Sequence, residues 1–142
     1  MSTRRIDTVV RVRRIQEQLA SAEVARTRMD LARAEAAERD ARELVGAIAA
    51  SAGYDPVNVT SLLAWRQKLD GGMRETERRA DVTVHANHHA DLAVLDWRQA
   101  MQRLDGIERL SDKLIAAERA EEERKAGVEL DDLVVMRWER AS

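Results

Sequence analysis

Ala52-Gly53-Tyr54-Asp55-Pro56-Val57-Asn58-Val59-Thr60 is the stretch that decides the fold, because two independent helix breakers coincide there. Gly53 can adopt the left-handed conformation that closes a helix, and Pro56 disfavours a helical Asp55. The sequence on either side carries helical periodicity. Thr60 or Ser61 is placed to cap the second helix, its hydroxyl accepting from an orphan amide of the first turn. The expected organisation is a first helix over about 6–52, a turn over 53–60 and a second helix over about 61–126.

Working back from the break, Val12, Ile15, Leu19, Ala22, Ala25, Met29, Ala32 and Ala36 recur at threes and fours and mark one side of a helix as its seam. Charged residues, several with an opposite charge three or four positions away, fill the rest of that arm. Working forward, Leu62, Trp65, Leu69 and Met73 form a second stripe. The pattern resumes at Val84, Val94, Trp97, Met101, Leu104, Ile107, Leu114 and Ala117. Gly71-Gly72 interrupts this arm at a cost of about 2 kcal/mol relative to two alanines, which points to a kink or a short separate helix. Leu104, Ile107 and Leu110 run in threes, so a strict heptad fails locally. The segment after Gly127, through residue 142, is either a continuation of the helix or a terminal turn.

Composition agrees with helices rather than a rounded core. Among 142 residues there is no Phe, one Tyr and one Pro, aromatics are 3% and charged residues 35%. An Ala, Glu, Arg and Leu excess of this kind belongs to coiled coils. A connection of about eight residues makes its two arms antiparallel neighbours. Each arm would leave an apolar stripe in water without the other. The fold class expected is therefore all-α, a long antiparallel two-helix coiled-coil hairpin forming a single domain over 1–142. A homodimeric scaffold, with arms pairing between chains, is the competing arrangement.

Several function classes lose their support at this level. A formal net charge of −2 does not provide the field that nucleic acid or an anionic membrane requires. No run approaches the roughly 18 apolar residues of a membrane span, and the start is charged, so neither a span nor a signal peptide is expected. Without Cys there is no disulfide and no thiolate metal ligand. No phosphate loop surrounds Gly71-Gly72, and no nucleophile sits beside a base in a cleft, so the chain reads as a non-enzyme that needs no cofactor. His85 and His89 are four apart, which suits two metal ligands on a helix. Two imidazoles make a weak site, and a solvated helix face is the simpler reading.

What remains is protein binding. Arg4, Arg5, Arg11, Arg13 and Arg14 face only Asp7 in charge, and no aromatics are interleaved to stack bases. An acidic protein surface fits better, with a solubilising helix face as the alternative. Positive charge there opposes the helix dipole and brings no stability of its own. Trp97 lies on the stripe and reads as core. Trp65 is either core or partner surface, and Trp138 either seals the hairpin or inserts into another protein.

The opening Val9-Val10-Arg11-Val12-Arg13-Arg14-Ile15-Gln16-Glu17, the Ala-rich first arm, the Leu62/Trp65/Leu69/Met73 stripe and the ending Glu129-Leu130-Asp131-Asp132-Leu133 together resemble the FliJ family, soluble components of the flagellar type III protein export apparatus. The resemblance spans nearly the whole chain. It implies a coiled-coil stalk that inserts into the hexameric export ATPase ring and stimulates it, contacts the export gate membrane protein and engages export chaperones. It also implies a cytoplasmic location, peripheral to the inner face of the cell membrane at the flagellar base. The residues it assigns to the ring are Arg4, Arg5, Arg11, Arg13, Arg14, Arg119, Arg124, Lys125, Leu130, Leu133 and Trp138. Those it assigns to the gate are Leu62, Trp65, Leu69, Gly72 and Met73. The equivalent stalk of a virulence secretion system shares this pattern.

Overall fold

A computed structural model describes residues 3–51 and 58–141. Two helices account for nearly all of them: α1, Thr3–Ala50, and α2, Val59–Ala141. They pack against each other as a helical hairpin, so the all-α fold class expected from the sequence is the one observed. The breakers Gly53 and Pro56 lie outside the described residues.

The start of α2 is set by Asn58, not by Thr60 or Ser61. Its side-chain Oδ1 accepts from the backbone N–H of Thr60 at 3.0 Å and of Ser61 at 3.4 Å, while its carbonyl accepts from Leu62 N at 3.1 Å. Asparagine does this better than threonine because its carbonyl reaches two orphan amides at once. From there α2 passes through Gly71-Gly72 and Gly127 without ending. At the close of α1, the N–H and the hydroxyl of Ser51 both donate to the carbonyl of Ile48, at 3.3 and 2.7 Å.

The chain divides into two compact units. One is Leu19–Arg98. Its seam on α1 runs through Ala20, Val24, Thr27, Leu31, Ala34, Glu38, Ala41, Val45 and Ile48, all buried or half-buried. The facing seam on α2 includes Trp65, Leu69, Gly72, Thr76, Thr83, Ala86, Ala90, Ala93 and Trp97. Small residues dominate its centre: Ala34, Ala90 and Ala93 are buried and let the helix axes come close. Thr27 tolerates burial because its hydroxyl donates to the carbonyls of Glu23 at 2.9 Å and Val24 at 3.1 Å. The other unit is Met1–Gln18 with Gln99–Ser142. There Ile6 is fully buried and Val10 nearly so, on the same side of α1 as the half-buried Thr3, Arg13 and Glu17.

The seam on α1 is therefore not the one the spacing suggested. Val12, Ile15, Leu19 and Met29 are 47 to 67% exposed, and Ala22, Ala25 and Ala32 are exposed as well. They form a second stripe on the face turned away from α2. A continuous series of positions at threes and fours from Thr3 to Ile48 is buried or half-buried, with Val9, Asp30, Ala36 and Ala37 half-buried beside it, and the series includes Arg13, Glu17, Thr27 and Glu38. Long polar side chains serve in a narrow seam by laying their aliphatic stems along it. On α2, Trp65, Leu69, Trp97, Met101, Leu104, Ile107 and Leu114 are at least half-buried, while Leu62, Met73, Val84 and Ala117 are exposed. The heptad does not fail after Ile107, because Ser111 is buried and Leu110 faces outward.

Candidate functional site

In the unit that contains both chain ends, the arms are tied at two levels. The Thr3 hydroxyl donates to the Glu118 carboxylate, and Arg14 Nε donates to Glu108 Oε1 at 3.3 Å. Residue numbers fall on α2 as they rise on α1, so the pairing is antiparallel. Between these levels lies a polar groove lined by Asp7, Val10, Arg11, Arg14, Glu108, Ser111, Asp112 and Ile115.

The N-terminal arginines divide by what they touch. Arg14 holds Glu108, and Arg13 is half-buried with its Nη1 donating to Gln16 at 3.0 Å. Arg4, Arg5 and Arg11 are exposed and, among the described residues, have no carboxylate within ion-pairing distance. Beyond Glu118, α2 continues with every residue from Ala116 to Ala141 exposed. Arg119 and Lys125 are exposed there, and Arg124 donates to Glu121 at 2.7 Å, holding that carboxyl below the usual glutamate range. Leu130 is 62% exposed, Leu133 56% and Trp138 76%, with Val128, Val134, Val135 and Met136 similarly open.

In the unit Leu19–Arg98, Leu62 and Met73 are exposed at 40% and 50%, while Leu69 is half-buried. Trp65 is half-buried and its indole Nε1–H donates to the carbonyl of Ile48 at 3.0 Å. Gly72 lies in the seam, where a Cβ would stand 2.9 Å from Val45 Cγ2. That spacing favours a glycine inside the helix: a side chain there would force Val45 to shift. His85 and His89 line a shallow groove with Arg26, Thr27, Asp30, Val82 and Ala86. Among the described residues no three His, Asp or Glu side chains converge as metal ligands.

Sequence reasoning missed the outward stripe of α1 as a surface. The signal that could have found it is the unbroken alternation of threes and fours through Thr3, Ile6, Val10, Arg13, Glu17, Ala20 and Val24, which competes with the more apolar stripe through Val12. No described helix is long and apolar enough to cross a membrane. The sequence profile of the family described as "Flagellar FliJ protein" matches residues 1–142. No curated protein and no solved structure matches the chain.

Proposed function

The chain belongs to the flagellar FliJ family, and from that premise we propose that it is a stalk whose α2 end enters the hexameric export ATPase ring and raises its turnover. Membership makes it a component of the flagellar protein export apparatus, in a family whose role there is non-catalytic. The observation that carries the finer reading is the exposed end of α2. At 100° per residue, Val128, Leu130, Leu133, Val134, Val135, Met136 and Trp138 leave no gap in the helix circumference wider than about 80°. Such a helix is not amphipathic. An apolar surface on all sides is satisfied by a partner that surrounds it, and a ring channel does so where a flat surface does not.

Arg4, Arg5, Arg11, Arg119 and Lys125 stand at the base of this segment, where acidic residues at a ring mouth would meet them and speed association. Arg13 and Arg14 are tied into the hairpin and support the segment more than they reach outward. For the export gate, the exposed Leu62 and Met73 supply the contact, with Trp65, Leu69 and Gly72 holding the helix that presents them. Export chaperones are further partners in this reading, which sets the protein at the inner face of the membrane.

The test is ATP hydrolysis by the cognate hexameric ATPase with and without this protein. The full chain raises turnover, and a chain truncated after Lys125 does not, although circular dichroism shows the remaining residues still helical. Unchanged turnover with the full chain overturns the reading.

A further inference from the structure

We propose that, away from any ring, a second copy of this chain covers one side of the exposed end of α2 by laying it along the outward face of α1 near Arg4–Arg14, forming a two-fold dimer. The interface draws only on the unit Met1–Gln18 with Gln99–Ser142.

The first argument is charge order. Read from N to C, α1 carries Arg4 and Arg5, then Arg11, Arg13 and Arg14. The exposed end of α2 carries Glu121, Glu122 and Glu123, then Glu129, Asp131 and Asp132. The two clusters are about eight residues apart on each helix, close to two turns. A parallel alignment that sets Glu122 and Glu123 against Arg4 and Arg5 therefore also sets Glu129 against Arg11. Arg4, Arg5 and Arg11 are exposed and hold no carboxylate among the described residues, so they are available for it. Glu121 is engaged with Arg124 of its own helix and contributes less.

The second argument is direction. Within this unit α1 is antiparallel to α2, as the Thr3–Glu118 and Arg14–Glu108 pairs fix. A two-fold axis perpendicular to α2 reverses the second copy's α2, and so makes it parallel to the first copy's α1. This axis is compatible with the alignment that the charges favour. Both contacts then form twice, because the surface is self-complementary.

The third argument is what lies between the charges. Val12 and Ile15 are 47% and 50% exposed on the outward face of α1, which carries Arg4, Arg5 and Arg11 and no carboxylate between residues 4 and 18. Asp7 and Glu17 sit beside or in the seam. Leu130, Leu133 and Val134 on the second copy supply apolar area to meet Val12 and Ile15. The pairing does not rest on the ring reading, and no ATPase enters its test.

The test is mass by light scattering and sedimentation of the full chain at tens of micromolar. At about 50 mM salt the mass is twice 16.1 kDa, and about 500 mM salt weakens the association about tenfold or more by screening. R4E/R5E/R11E alone is monomeric, and so is E122R/E123R/E129R alone. Mixed one to one they form a heterodimer, since every reversed contact is then matched by its reversed partner. Circular dichroism confirms that both variants keep their helix. A wild-type monomer at low salt, or a dimer that either charge reversal leaves intact, overturns the proposal.

Discussion

The indole Nε1–H of Trp65 donates to the main-chain carbonyl of Ile48 at 3.0 Å, so a side chain of α2 satisfies one of the orphan acceptors at the end of α1. Ser51 donates to the same oxygen. The bond fixes where the last turn of α1 meets the first turns of α2, and it engages the indole N–H of Trp65 within the hairpin.

Trp65→Phe keeps most of the ring contact and removes the donor. It is expected to lower unfolding free energy by about 1 kcal/mol, the usual net value of one hydrogen bond. Urea unfolding followed by circular dichroism measures it. A change within about 0.3 kcal/mol would show that Ser51 alone suffices.

The two adjacent glycines are expected to respond oppositely to alanine. Nothing lies within 4 Å of a Cβ on Gly71, so Gly71→Ala gains helix propensity, about 1 kcal/mol of stability. At Gly72 the added carbon meets Val45 Cγ2 at 2.9 Å, and valine is stiff in a helix, so Gly72→Ala loses that gain and costs about 1–2 kcal/mol net. Val45→Ala in the Gly72→Ala background restores part of the loss. Thermal unfolding of the four chains decides it.

Asn58→Ala removes the cap of α2 and is expected to cost about 1 kcal/mol. Thr60→Ala and Ser61→Ala change stability by less than about 0.5 kcal/mol, because neither hydroxyl supplies the cap. If Thr60→Ala proved the more damaging of the three, the capping assignment would be wrong.

Acid should loosen the helices through three exposed carboxyls. Hydrogen bonds from Arg26, Arg78 and Arg124 hold Glu23, Glu75 and Glu121 below the usual glutamate range. A carboxyl whose pKa is lower folded than unfolded adds stability above its unfolded pKa and loses it as pH falls through the folded value. Melting temperature is therefore expected to be lower at pH 3 than at pH 6, with a smaller difference at high salt. The combined variant Arg26→Gln, Arg78→Gln, Arg124→Gln should flatten that pH dependence, and an unaltered slope would place its origin elsewhere.

Much of α2 was legible because Trp97, Leu104, Ile107 and Leu114 are bulky, regularly spaced and without a rival stripe. The same reasoning failed on α1, where Val12, Ile15, Leu19 and Met29 made the more apolar stripe and turned out to face away from α2. Among the assigned surface residues, the exposure of Leu130, Leu133 and Trp138 follows from a segment with no face to hide. The places of Trp65 and Gly72 depend on Ile48 and Val45, which lie far from them in sequence.

Two helices and a break between them were dictated locally, because helical periodicity and breakers act over a few residues. Which face of α1 is buried, that Ser111 and not Leu110 enters the seam, and that a Cβ at Gly72 would crowd Val45 were settled by the packing of one helix on the other. A helix with two apolar stripes has no internal preference between them. The choice belongs to the pair, whose small seam residues Ala34, Ala90 and Ala93 let the axes approach closely along one face.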